Sequence, residues 1–173
     1  MSRGGARSVR ILGIDPGSRR TGYGLIESDG RHSRHVHSGC ITTGAGDFAA
    51  RLGIIFEGVS AVLAQHGADE VAVEQVFVAR NPSAALKLGQ ARGAAISAVV
   101  SAGLPVFEYT PRLVKQAVVG AGGAEKQQVQ HMVRILLNMN DKLVEDQADA
   151  LAVALCHAHM GASRARLGLD RVR

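Results

Sequence analysis

At 173 residues, with 46% hydrophobic and 20% charged side chains, the chain has the makings of one ordinary folded domain, and this balance excludes a disordered polyelectrolyte. Aromatics make up 3% with no Trp, so the core has to be aliphatic and rich in Ala. A formal net charge of +5 suits a polyanionic partner, while two cysteines outside any C-x-x-C or zinc-like spacing exclude a disulfide framework and fit a reducing cytoplasm.

Residues 1–8 are basic and lack the apolar segment of a signal peptide, so a loose arm is expected there. Residues 9–15 (VRILGID) form an apolar run closed by Pro16-Gly17, which reads as a strand and a turn. Residues 21–28 and 35–43 read as two more strands, joined through Ser28-Asp29-Gly30 into an antiparallel meander. The period then changes: Phe48, Leu52, Ile55, Val59, Val62 and Leu63 follow helical spacing between an Asp47 cap and a Gly67 stop. Residues 70–77 (EVAVEQVF) return to strand character. Asn81-Pro82 opens a helix that should reach Ala102 and stop at Gly103. A short strand follows over 105–109, and Thr110-Pro111 opens another helix by the same logic. Residues 124–139 and 145–160 complete the pattern as two helices, and the Arg-bearing tail from Gly161 is expected to be loose. The order βββ-α-β-α-β-α-α-α predicts an α/β domain over residues 9–160 with a mixed sheet, antiparallel first and parallel later, between flexible basic tails at 1–8 and 161–173. No apolar run approaches a membrane span in length, so no membrane association is expected.

Charge is spread unevenly. Residues 76–135 carry seven basic side chains (Arg80, Lys87, Arg92, Arg112, Lys115, Lys126, Arg134) against Glu108 and Glu125. Residues 136–150 reverse this, with Asp141, Glu145, Asp146 and Asp149 against Lys142. Three predicted elements offer an acid near the sheet. Asp15 ends the most apolar strand, which should lie centrally, although Asp before Pro-Gly also makes an ordinary turn. Glu74 stands among apolar neighbours, where a carboxylate needs a partner or a metal. Asp146 and Asp149 are three apart on the last helix and share a face, beside the apolar stripe Ala148, Leu151, Ala152, Leu155; first-turn charge is their simpler reading. Carboxylates gathered closely repel and take up protons unless a cation lies among them, and hard oxygen donors suit Mg²⁺.

The segments ILGIDPGSRRTGYG (11–24), VEQVF (73–77), NPSAALKLGQARG (81–93), PVFEY (105–109), VKQAVVGAGGAEKQQVQHMV (114–133) and DQADALAVA (146–154) resemble, in order, the RuvC family of Holliday-junction resolvases. The resemblance covers nearly the whole chain except the tails. It implies a ribonuclease-H-like fold, a five-stranded mixed sheet flanked by helices. It implies that Asp15, Glu74, Asp146 and Asp149 are metal-binding catalytic residues, with Asp146 the least fixed because some relatives carry His there. It implies two Mg²⁺ ions per subunit, for which Mn²⁺ can substitute, and symmetric nicking of two strands of a four-way junction. The family's lysine pair falls on Lys115 and Lys126, the latter counted with the catalytic residues, and Phe77 matches an aromatic that packs on junction bases. Lys87 and Arg92 join Phe77, Lys115 and Lys126 as expected DNA contacts. A homodimer is implied, with the Ala- and Gly-rich helix 82–102 able to pack on its two-fold mate, and so is partnership with the RuvA and RuvB branch-migration proteins.

Three rival readings have specific weaknesses. An actin-like or sugar-kinase-like ATPase domain shares the opening strand and turn but needs a second phosphate turn and a second domain. A catalytically dead junction-binding module would not need all four acids. An RNA-processing relative shares the GIDPG opening, but ALKLGQARG and the two matched lysines favour the DNA resolvase.

Overall fold

The VRILGID run becomes β1 (Val9–Asp15), the middle strand of a five-stranded sheet with spatial order β3-β2-β1-β4-β5. Its neighbours in the chain are β2 (Arg20–Ser28) and β3 (Ser33–Thr42), and β4 (Glu70–Glu74) and β5 (Val106–Tyr109) follow later. The β1–β2 and β2–β3 pairs are antiparallel, whereas β1–β4 and β4–β5 are parallel. The computed structural model describes the backbone of residues 8–75 and 81–166, and the side chains of all of these except 165 and 166.

Both sheet faces are covered, which is why β1 is apolar on both sides. Leu12 and Ile14 enter one core with α1 (Phe48–His66) and α2 (Pro82–Ser101). Ile11 enters the other, with α3 (Pro111–Val119), α4 (Lys126–Leu136) and α5 (Glu145–Arg166). The predicted element order and the mixed sheet are therefore both realised. Local chemistry sets the helix starts: Asp47 accepts from the Ala50 N–H, Asn81 from those of Ser83 and Ala84, and Thr110 from that of Leu113.

Several boundaries differ from the sequence reading. β4 ends at Glu74 rather than Phe77, so Glu74 is a strand end and not a mid-strand residue. Residues 76–80, with Phe77 and Arg80, lie outside the described residues, as do 1–7 and 167–173. β3 begins at Ser33 because the turn before it is tight: the Asp29 carboxylate accepts from the Arg31 and His32 N–H groups at 2.8 and 2.7 Å, and Gly30 sits at φ 85°. α4 is shorter than expected, with a Glu125/Gln128 capping box at its start. The expected loose tail at 161 is instead helix to Arg166. Its anchor is Arg164, which donates to Tyr109 Oη at 3.2 Å and lies 5.8 Å from the Phe107 ring centre. α1 also corrects the reading of apolar runs, since its 19 residues are long and apolar enough to span a membrane by length and composition. Its stripe of Ile55, Val59, Val62 and Leu63 is instead buried against the sheet.

Candidate metal centre

The parallel β1–β4 ladder pairs Ile14 with Val73, so Asp15 and Glu74 are the next residues of neighbouring strands and end side by side. The third element arrives over glycine. A Cβ on Gly13 would lie 2.0 Å from Ala150 O, one on Gly22 2.0 Å from Asp146 O, and one on Gly24 2.6 Å from Leu151 Cδ2. Gly13 faces Gly24 across the β1–β2 ladder, and Gly22 faces Asp15. These three positions form a bare track on which the α5 backbone rests against the sheet. With Gly22 under Asp146 and opposite Asp15, the first turns of α5 bring Asp146 and Asp149 to the strand ends. Beyond them α5 is buried on every side from Ala150 to Ala158, because α3 and α4 cover the face that the sheet does not.

Burial and mutual repulsion dominate the electrostatics. The Asp15 carboxyl is pushed up to about 7, first by burial and then by Glu74, Asp149 and Asp146, with Lys126 opposing. Glu74 is raised by burial and by Asp149, against Lys115 and Lys126. Asp149 is raised mainly by burial, although Lys126 Nζ lies 3.0 Å from its Oδ2. Burial disfavours the Lys126 charge, but its hydrogen bonds to Glu145 and Asp149 outweigh that and raise the ammonium above its ordinary value. Asp146 is held by Arg20, whose Nε is 2.8 Å from Oδ2, and the Cys40 thiol donates to the same oxygen at 3.9 Å.

The donor set is all carboxylate oxygen, and an Asp raised to about 7 marks a place where a cation would relieve repulsion. The fit is of chemistry and neighbourhood: among the described residues no three His, Cys, Asp or Glu side chains already form a closed ligand group. Like charges keep apart, and Arg20 and Lys126 hold two of the four acids.

The expected lysines do reach the site. Lys115 of α3 and Lys126 of α4 line a cleft of about 240 Å³ together with Glu74, Asp149, Val114 and Val129. Lys87 is exposed on α2, 6.0 Å from the Phe48 ring centre, beside Arg51. Arg92 does not face outward: its Nε donates to Glu74 O at 3.2 Å and its NH2 pairs with Glu108 at 2.6 Å, so it braces the end of β4. Phe77 lies outside the described residues. Sequence reasoning missed Arg20, Cys40 and Glu145 as neighbours of the acids. Gly22 and Gly24 alternate on one face of β2, which is the signal that could have marked the close approach of α5. A further tie holds the loop after Asp15: Arg51 donates to Ser18 O and to Thr43 Oγ1, and Thr43 Oγ1 donates to Ser18 O at 3.1 Å.

Residues 11–157 match the family profile described as Crossover junction endodeoxyribonuclease RuvC. A protein of that name from Alkalilimnicola ehrlichii is 58% identical over 158 residues, which is 91% of this chain and 96% of the relative. Its counterpart from Stenotrophomonas maltophilia is 57% identical over 164 residues, 94% and 95% of the two chains. Among solved structures, Thermus thermophilus RuvC in complex with a Holliday junction substrate superposes with a TM-score of 0.84 at 37% identity, covering 93% of this chain and 97% of that one. The yeast mitochondrial Holliday junction resolvase Ydc2, at 11% identity and a TM-score of 0.68, shares the fold.

Proposed function

The chain belongs to the RuvC family of crossover junction endodeoxyribonucleases, and from that premise we propose that it resolves four-way (Holliday) DNA junctions, hydrolysing one phosphodiester in each of two strands. The observation that carries this is the meeting of Asp15, Glu74, Asp146 and Asp149 at one sheet end, with Asp15 pushed up to about 7. The family's nucleases are metal-dependent, and in this reading the four carboxylates would hold Mg²⁺, two ions per subunit, with Mn²⁺ able to substitute. Bound there, a divalent cation supplies charge to activate water and to stabilise the leaving oxygen.

The chain's own residues do the rest. Asp15 and Glu74, at the ends of paired strands, form the rigid half of the site, since strand ends in a twice-covered sheet have little freedom. Asp146 and Asp149 form the other half, at the height set by the glycine track. Lys126 offsets negative charge on the phosphate, and Lys115, which lines the same cleft, helps to hold it. Phe77, just beyond Glu74, stacks on a junction base, and Lys87 takes a phosphate farther along the duplex arm. Arg92 serves DNA indirectly, by fixing the carbonyl of Glu74. The open face of α2, lined by Pro82, Ala85, Leu86 and Gly89 with Leu86 70% exposed, receives a second copy of the chain, so that two sites meet two strands. The dimer acts in the cytoplasm beside the RuvA and RuvB proteins.

The test is cleavage of a synthetic four-way junction with Mg²⁺, next to a linear duplex of the same sequence. Wild type is expected to place paired symmetric nicks in the junction only. Asp15→Asn is expected to bind the junction and cut slower by on the order of 10³-fold or more, as groups acting as a unit fail together. Cutting that survives chelation, or that treats duplex and junction alike, would sink the reading.

A further inference from the structure

Two arginines reach the acids of the site, and they are held differently. Arg92 is 20% exposed at its side chain and fastened at two points, to Glu74 O and to Glu108. Arg20 opens β2 at the rim of the site and is 51% exposed. It touches Asp146 Oδ2 through Nε at 2.8 Å, and among the described residues it has no other acidic partner. An ion pair so open, with only the Cys40 thiol as a further side-chain partner, is weak and exchanges readily. Lys126, on the other acid of α5, differs again: if Asp149 were taken from it, Glu145 would remain.

We propose that Arg20 is an exchangeable counter-ion of the site: it holds the Asp146 carboxylate until a divalent cation claims that oxygen, and then turns its guanidinium outward to a DNA phosphate. The inference rests on the reading of the four carboxylates as the metal site. Its physical basis is competition for one oxygen. A divalent cation outweighs a half-exposed guanidinium there, and the released group stays charged and has the fork geometry that suits phosphate. Metal binding and DNA binding would then support each other through one side chain, because the same event that fills the acids frees a cation at their rim. Arg20 is thus a positioning residue for Asp146 before the metal binds and a phosphate contact after it.

The experiment is calorimetric titration of the full chain with Mn²⁺, without DNA, for wild type, Arg20→Ala, Arg19→Ala and Asp15→Asn. Arg19 is the control, an exposed neighbour whose loss changes net charge equally without breaking the pair. Arg20→Ala is expected to bind Mn²⁺ roughly two- to five-fold tighter than Arg19→Ala, the scale of a surface ion pair. In ¹⁵N-labelled wild type titrated with Mg²⁺, the Arg20 Nε–H resonance, assigned by its loss in Arg20→Lys, is expected to move toward the position of a free guanidinium as the site fills. If Arg20→Ala binds no tighter than Arg19→Ala, or the Nε–H signal stays fixed while Mg²⁺ binds, the exchange is wrong and the metal site stands. If Asp15→Asn binds Mn²⁺ as well as wild type, the metal reading itself falls, and the exchange with it.

Discussion

The two ends of α5 treat buried polar groups in opposite ways. At its start, Asp146 and Asp149 face Asp15 and Glu74, and among the described residues neither Asp15 nor Glu74 has a side-chain hydrogen bond or ion pair. Toward its far end, His157 is 3% exposed and fully engaged. Arg164 donates to Tyr109 Oη at 3.2 Å, Tyr109 Oη lies 2.6 Å from His157 Nδ1, and His157 Nε2 lies 2.6 Å from Glu70 Oε2. A neutral imidazole satisfies every member of this chain: Tyr109 donates to Nδ1 and Nε2–H donates to Glu70. Buried polar groups normally find partners within the fold, and the His157 end obeys that rule. The Asp15 end leaves carboxylates for a ligand to complete, which is how a site differs from a brace built of the same residue types.

If that contrast is right, the two ends should break separately, and only the track between them should break both. Gly13→Ala puts a Cβ 2.0 Å from Ala150 O and 2.7 Å from Ala154 N. Both are backbone atoms, so α5 has to lift along its length. A loss of roughly 3 kcal/mol is expected, at the upper end of overpacking effects, read as a drop in the urea midpoint together with slower junction nicking per folded molecule. An unchanged midpoint would mean that α5 is not seated on the glycines. Tyr109→Phe comes next. It leaves His157 Nδ1 without its donor and Arg164 without its acceptor while keeping the ring, so stability should fall by about 1–3 kcal/mol. Nicking per folded molecule should stay at the wild-type rate. A large rate loss with intact folding would show that the two ends are coupled through α5 rather than independent.

What could be read from the sequence follows the range of the interactions. Caps at Asp47, Asn81 and Thr110 act on N–H groups two or three residues away, and the helix starts they predict are where the helices begin. Asp15 stood out as an acid closing the most apolar strand, and Glu74 as an acid read inside an apolar run, where a carboxylate conflicts with its surroundings. Arg92 was read as a DNA contact because its partner Glu108 is on β5, and nothing in the local sequence announces a pair between α2 and that strand. The end of α5 was missed for the same reason, since Arg164 is secured by Phe107 and Tyr109. Arg20 and Asp146 meet across most of the chain's length. The glycine track was not legible, because whether a glycine serves a turn or a contact depends on what lies above it.

The smallest effect expected is also the one that separates the ends by sign. Burial lowers the His157 imidazole below its ordinary 6.5, and Arg164 adds to this, while the Glu70 carboxylate at Nε2 partly opposes it. A group that binds its proton less readily folded than unfolded gives stability that is complete above the unfolded value of 6.5 and is lost as the pH falls below it toward the folded value, because the unfolded chain takes up the proton first. Wild type should therefore lose stability as pH is lowered from about 6.5, the unfolded histidine value from which linkage runs downward. His35 and His37, both lowered by burial, act in the same direction, and Asp15, raised to about 7, acts in the opposite one. The total slope mixes these, so the useful quantity is the difference between wild type and His157→Phe across that window. The variant should be less stable at neutral pH, and the gap should narrow as the pH falls. A gap that widens as the pH falls would mean that His157 holds its proton more tightly folded than unfolded, and that the Glu70 end is an ion pair rather than a neutral brace.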